Sequence, residues 1–222
     1  MSLVLKDVQK SFHQGDAEIK VLRGLTVTIE PGEIVSVVGQ SGSGKSTLLS
    51  ILAGLERADR GDILVDKINL MPMSEQELTT FRAQNISIVF QQYHLIAHLT
   101  ALENVMLALE ILKMENPEKR AQEALQELDL GHRLDHFPSQ LSGGECQRVA
   151  IARALVVQPK ILLADEPSGN LDIHTGEKVM DVFFDVIRKY KITTILVTHS
   201  EVLAKRCQRT LHLEEGQLKE LP

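Results

Sequence analysis

Cysteine is scarce in this chain. Its two residues, Cys146 and Cys207, show neither CxxC nor CxxxxC spacing, so no disulfide framework or thiolate metal site is suggested, and a reducing compartment is the simplest setting. Long apolar runs are missing as well, and none approaches the ~18–20 residues that a bilayer-spanning helix needs. The start, Met1-Ser2-Leu3-Val4-Leu5-Lys6-Asp7, meets charge before any apolar core of a secretory leader builds up. The chain is therefore expected to be soluble, with any membrane role arriving through a partner. Positive charge is in deficit: 24 Lys and Arg face 30 Asp and Glu, a net charge of −6. With no basic run, a non-specific nucleic-acid surface is not expected. Tandem repeats, low-complexity linkers and the Asn-Lys-x-Asp or Thr-Lys-x-Asp signature of a guanine reader are also lacking.

What is there fits one large domain, or one domain with an inserted lobe: 222 residues, 43% of them hydrophobic, enough for a proper core. Residues 2–8, 25–30 and 33–39 carry strand signals, with a turn at Pro31-Gly32. The run Ile34-Val35-Ser36-Val37-Val38 is almost wholly apolar, as in a parallel strand covered on both faces. A helix is expected from about Lys45 to Gly54. The middle of the chain then changes character. Ser74 with Glu77 and Thr100 with Glu103 both match the capping box. Asn116-Pro117 reads as an N-cap followed by proline at the first helical position, and Ala121, Ala124, Leu125 and Leu128 follow at helical spacing. Residues from about 92 to 150 thus form a mainly helical lobe. Strand and helix alternate again afterwards: a buried strand at 161–164, a helix at 174–189, a strand at 193–198, a helix near 201–206 and a hairpin around Glu215-Gly216.

The segment Gly39-Gln40-Ser41-Gly42-Ser43-Gly44-Lys45-Ser46 is a complete G-x-x-x-x-G-K-[ST] match. Glycines let backbone amides converge on phosphate oxygens, and the following helix aims its positive end at the same anion. Lys45 is expected to reach the β- and γ-phosphates, and the Ser46 hydroxyl to ligate Mg²⁺. A chance match in a chain of this length is on the order of 1 in 100. The dinucleotide alternative fails, because Thr47 stands where its third glycine belongs. A second element is Ile161-Leu162-Leu163-Ala164-Asp165-Glu166, a short apolar strand ending in two carboxylates. Ligands of open parallel sheets bind beyond the carboxyl ends of strands. Asp165 is therefore expected to hold Mg²⁺, through water, and Glu166 to orient or deprotonate an attacking water.

Leu141-Ser142-Gly143-Gly144-Glu145 precedes an expected helix at 146–157. Ser142 and Glu145 form a third capping box, but a cap alone leaves two consecutive glycines unexplained. A serine and two glycines at a helix N-terminus make a second anion cradle. Two cradles in one chain, both serving one nucleotide, suggest that two copies meet.

Over essentially its whole length the sequence resembles the ABC ATPase family, through segment 39–46, Gln91, segments 141–145 and 161–166, Ser168-Gly169-Asn170-Leu171-Asp172, and His199. The resemblance implies an α/β fold: a P-loop (RecA-like) core with an antiparallel β subdomain and an inserted α-helical subdomain. It implies one cassette at 1–222, with the nucleotide-binding core at 1–91 and 151–222 and the helical signature subdomain at 92–150. It further implies ATP hydrolysis with Mg²⁺ in a head-to-tail homodimer. The nucleotide contacts so implied are Phe12, Gly39, Gln40, Ser41, Gly42, Ser43, Gly44, Lys45, Ser46 and Thr47, with Ser142, Gly143, Gly144 and Glu145 of the twin. Phe12 stands where family members stack a tyrosine on adenine, which keeps the ring and loses the hydroxyl. The catalytic set is Glu166, His199, Gln91 and Lys45; the Mg²⁺ set is Ser46, Gln91 and Asp165. Cys146 replaces a more usual polar residue, as a helix-surface substitution or, less favoured, as a thiol activated by its helix terminus.

Ala101-Leu102-Glu103-Asn104-Val105, the run 165–172 and the short C-terminus are similar to the LolD-like lipoprotein-release, MacB-like and YbbA-like exporter subgroup. Arg133-Leu134-Asp135-His136 and Leu203-Ala204-Lys205-Arg206-Cys207 lean toward its YbbA-like members. This likeness implies a separate four-helix membrane permease, peripheral attachment to the cytoplasmic face of the inner membrane without insertion of this chain, and outward transport. Regulation of a membrane-bound enzyme, as in cell-division relatives, is the alternative. The apolar stretch Tyr93-His94-Leu95-Ile96-Ala97-His98-Leu99 beside Gln91 is either part of the permease-docking surface or core of the lobe.

Overall fold

The computed structural model describes residues 1–15 and 17–221. The chain folds as two compact units, Met1–Arg82 with Lys191–Pro222, and Ala83–Tyr190. From the N-terminus run β1 (Leu3–Gln14), β2 (Ala17–Ile29), β3 (Ile34–Val38), α1 (Lys45–Leu52), β4 (Arg60–Val65), β5 (Ile68–Asn69) and α2 (Glu75–Asn85). Next come β6 (Ile86–Val89), α3 (Ala101–Ile111), α4 (Pro117–Glu127), a short 3-10 turn at Pro138–Gln140, α5 (Gly143–Leu155), β7 (Ile161–Asp165) and α6 (Ile173–Lys189). The chain ends with β8 (Thr193–Val197), α7 (Glu201–Ala204), β9 (Arg209–Glu214) and β10 (Gln217–Glu220).

In the first unit an antiparallel sheet has the order β2-β1-β4-β5. Leu3 and Leu5 point inward from β1, and so do Val8 and Lys10. The parity changes because the ladder shifts register between Leu5 and Val8, where Asp7 takes a left-handed φ of 50°. An extra residue of this kind bends the strand and re-aims every later side chain. The expected strands at 2–8 and 25–30 are therefore parts of one long ribbon, and β4 and β5 complete the sheet. The other strands of this unit run β10-β9-β3-β8, with β3 parallel to both β8 and β9. Ile34, Val35 and Val37 are almost fully buried, as their unbroken apolar run predicts. Buried Ser36 stays satisfied by Thr210 Oγ1 at 2.9 Å.

In the second unit β6 and β7 pair in parallel, with Val89 opposite Ala164. Around them the helical residues 92–150 pack α3, α4 and α5 together. Val105, Leu109, Ala121, Leu125, Val149 and Ile151 are fully buried there. At roughly 1.5–3 kcal/mol for each large apolar side chain taken out of water, this core holds the helices. All three expected capping boxes form: Ser74 with Glu77, Thr100 with Glu103, and Ser142 with Glu145. Asn116 occupies the N-cap of α4 with φ 52°, but its side chain caps nothing. What the position uses is asparagine's tolerance of left-handed backbone. In α6, Asp172 caps the amide of Thr175, and Val179, Met180, Phe183 and Ile187 form the buried stripe.

Candidate nucleotide site

The glycine loop at 39–46 links β3 to α1. Gly39 has φ 157°, and an added Cβ would lie 2.4 Å from the Leu213 carbonyl oxygen and 2.9 Å from Ser43 Oγ. No other residue fits that approach. Lys45 is held from below, its Nζ donating to the carbonyls of Gly39 and Gln40 at 2.8 Å each. Its buried ammonium is thereby fixed at the N-terminus of α1. The first turn of α1 carries no acidic side chain, and its N-cap, Gly44, makes no side-chain cap bond. The first turn of α1 thus supplies no anion of its own to these donors. Ser43 Oγ is buried without a hydrogen-bond partner among the described residues, while Gln40, Ser41, Gly42 and Ser46 are exposed and Thr47 is half-buried.

The β1–β2 ribbon sits directly on this loop. An added Cβ at Gly44 would come within 2.9 Å of Val21 Cγ1 and 3.1 Å of Leu22 Cδ2. Val21 lies where the register shifts between Lys10 and Ser11. On the same ribbon Phe12 is 40% exposed, so it is no core residue. His199 is exposed too, between β8 and α7, in a turn fixed by Thr198 Oγ1 accepting from the Ser200 amide and Ser200 Oγ accepting from the Leu203 amide.

In the second unit, parallel pairing of β6 with β7 sends both chain ends the same way. Gln91 and Glu166 each stand two residues beyond the paired Val89 and Ala164, and Asp165 ends β7 half-buried. Glu166 holds a left-handed φ of 45°, a strain of roughly 1–3 kcal/mol of the kind that gathers at functional positions. Gln91 Nε2 donates to Asn170 Oδ1 at 3.2 Å, and Asn170 Nδ2 donates back to the Gln91 carbonyl at 3.0 Å. The segment 168–172 is thus tied to Gln91, a link invisible in the residue order.

The signature helix differs from its expected start. α5 begins at Gly143, because Ser142 accepts from the Glu145 amide and so becomes the N-cap. The two glycines lie inside the first turn and have a packing reason as well. An added Cβ at Gly144 would meet Thr175 Cγ2 at 2.5 Å, and one at Gly143 would meet the Tyr93 hydroxyl at 2.9 Å. Glu145 accepts from the amide and hydroxyl of Ser142 at 2.8 Å, and from Arg133 Nε at 2.8 Å. The Ser142 amide first, then its hydroxyl and the Arg133 guanidinium, hold this carboxyl down at about 2.

Cys146 corrects both expectations. It is buried rather than on the helix surface, with Sγ pointing at the Pro138 carbonyl at 3.6 Å. Burial, and then the Glu145 charge, push its thiol up rather than down. Segment 93–99 is not core: Leu95, Ile96 and Leu99 are half-buried while His94, Ala97 and His98 are exposed. Buried Asn104 anchors it, donating to the carbonyls of Ile96, Leu99 and Thr100. Arg153 does the same from α5, donating to the carbonyls of His94 at 2.7 Å and Tyr93 at 2.9 Å. Lys10 and Arg153 are not visible as functional in the sequence, because a single polar residue carries no periodic signal.

The residues expected to hold Mg²⁺, Ser46, Asp165 and Gln91, each carry a hard oxygen, the donor chemistry this ion prefers. No cluster of three or more His, Cys, Asp or Glu side chains forms a metal cage among the described residues.

A glycine loop clamping its lysine, a strand-end acid pair and a capped Ser-Gly-Gly helix start define a P-loop ATPase of the cassette type. Residues 22–169 match the ABC transporter family. The chain belongs to this family and is one of its ATP-binding, ATP-hydrolysing cassettes. It is 46% identical over 215 residues to YbbA of Escherichia coli (strain K12), described as an uncharacterized ABC transporter ATP-binding protein, covering 96% of this chain and 94% of that protein. It is 45% identical over 216 residues to the lipoprotein-releasing system ATP-binding protein LolD of Bacteroides fragilis (strain YCH46), covering 96% and 98%. A dimeric post-hydrolysis structure of the ATP-binding cassette MJ0796, bound to ADP and Pi, aligns with a TM-score of 0.90 at 40% identity, covering 99% of this chain and 97% of that one. No helix among the described residues is long and apolar enough to cross a membrane.

Proposed function

We propose that two copies of this chain close head-to-tail on ATP and drive a separate membrane permease in export or lipoprotein release. Each ATP lies between the glycine loop of one copy and the Ser142-Gly143-Gly144 start of α5 in the other. Phe12 stacks on adenine. Amides of the 39–46 loop and the Lys45 ammonium neutralise the phosphates. Ser46 and Asp165 hold Mg²⁺, which spreads the charge of the phosphate oxygens. Glu166 accepts the proton of the attacking water, Gln91 orients that water, and His199 donates to the γ-phosphate. The cassette works on the cytoplasmic face of the membrane, attached through the permease, a four-helix protein whose cytoplasmic segment docks beside 93–99.

The observation that carries this reading is the pairing of an uncapped α1, with its lysine clamped by loop carbonyls, and a capped α5 in one chain. The dimeric state and bound ADP and Pi of MJ0796, and the lipoprotein-releasing role in the name of LolD, support the dimer and the export assignment. Glu166→Gln tests the centre of it. ATP binding should persist, turnover should fall by ~10²–10⁴-fold, and light scattering should find an ATP-dependent dimer. Wild-type turnover in that variant would remove Glu166 as the base. Co-purification from membranes should bring down an integral membrane protein; recovery of the cassette in the soluble fraction alone would contradict the permease.

A further inference from the structure

The geometry points to Lys10 as the residue that presents the Phe12 ring to the nucleotide base. This rests on the reading of Phe12 as the adenine platform. Phe12 projects from a two-stranded ribbon opposite Ile19, which is itself 45% exposed, so apolar packing does little to hold the ring. Its defined neighbour is the Lys10 ammonium, 5.0 Å from the ring centroid. A cation over one face of an aromatic is attracted by the ring quadrupole. It also covers that face, which leaves the other for a planar base.

Lys10 is in turn immobile. It is 8% exposed, and its three protons have three oxygen partners: Glu56 Oε1 at 2.7 Å, the Arg57 carbonyl at 2.9 Å and Asp59 Oδ1 at 3.4 Å. The backbone is pinned on both sides of it, with the Ser11 amide donating to Asp59 Oδ2 at 2.6 Å and the Asp59 amide donating to the Gln9 carbonyl at 2.8 Å. The 56–59 loop hangs from the far end of α1, where the amides of Leu55 and Glu56 both donate to the Ser50 carbonyl. The other end of α1 is the phosphate loop. A rigid path therefore runs from the phosphate loop through α1 and the 56–59 loop to Lys10 and onto the ring. Lys10 sets the distance and tilt between the base platform and the phosphate cradle.

Calorimetry with ADP and with inorganic diphosphate on the full chain separates this from a merely structural ion pair. Phe12→Ala should weaken ADP by ~5–100-fold, the range for losing one base–aromatic stack, and leave diphosphate unchanged. Lys10→Met should weaken ADP by ~2–10-fold, also with diphosphate unchanged, and Lys10→Arg should recover ADP affinity. Wild-type ADP affinity in Phe12→Ala would overturn the platform reading and the inference with it. If Phe12→Ala loses ADP affinity but Lys10→Met does not, or if Lys10→Met loses ADP and diphosphate alike, the role of Lys10 alone is overturned.

Discussion

The two helix starts that bear the glycine motifs are opposites. α1 begins at a left-handed Gly44 with no side-chain cap and no acid in its first turn. α5 begins at Ser142 with a closed capping box, and its first turn holds Glu145, tied back to Ser142 and Arg133. A helix N-terminus is worth about half a positive charge. At α1 no side chain of its own first turn offsets that charge, and the Lys45 ammonium adds to it. At α5 an internal carboxylate already neutralises most of it. On the proposed function the difference is a division of labour: α1 would hold a polyphosphate by itself, and α5 would add weaker contacts to one already held, so binding would come before closure.

The sharpest way to break this comparison is Lys45→Ala. Loss of charge-assisted bonds worth roughly 1.5–3 kcal/mol each should cut nucleotide affinity by at least ~10-fold, read by calorimetry on the isolated chain. Wild-type affinity would end the assignment of α1 as the primary cradle. Next is Gly144→Ala, which forces a methyl to within 2.5 Å of Thr175 Cγ2. Overpacking of this kind costs about 1–3 kcal/mol, measurable by urea denaturation, and Thr175→Ser in the same chain should restore most of it by removing that methyl. Ser142→Ala should cost about 0.5–2 kcal/mol as a lost cap, lower turnover, and leave ADP affinity of the monomer untouched. A fall in monomer affinity would contradict the division.

The smallest effect sharpens the electrostatics. The Glu145 carboxyl is held at about 2 against an ordinary 4.5. A depressed carboxylate contributes stability that is complete above the unfolded value and lost as pH falls through the folded one. Stability should therefore decline between about pH 4.5 and 2, and Glu145→Gln should flatten that part of the unfolding profile. An unchanged profile would show that Ser142 and Arg133 do not hold the charge.

Much of this was legible beforehand, for identifiable reasons. Capping boxes at Ser74, Thr100 and Ser142 are local, so four residues suffice to announce each, even where the expected helix start, 146, falls three residues after the observed one, 143. The run at 34–38 announces burial on both faces because every side chain agrees. The glycine loop and the 161–166 strand carry chemistry at fixed spacing. The misses were tertiary. The bulge at Asp7 hides the length of β1 by reversing its parity midway. Gly144 is explained by Thr175, which lies 31 positions later in the chain. Cys146 looked like surface because burial on the first turn of α5 depends on the Pro138 turn above it. Gln91 and Asn170 are partners only because β6 and β7 run side by side.

Arg153 has one more consequence. Both arms of its guanidinium grip the backbone just after Gln91, at Tyr93 and His94, while its own backbone belongs to the signature helix. Neither of those carbonyls can be tugged without dragging α5 along. If α5 meets the twin's nucleotide as proposed, the short stretch behind Gln91 and that helix would act like the two arms of a bell crank, a push delivered at one being passed to the other through Arg153.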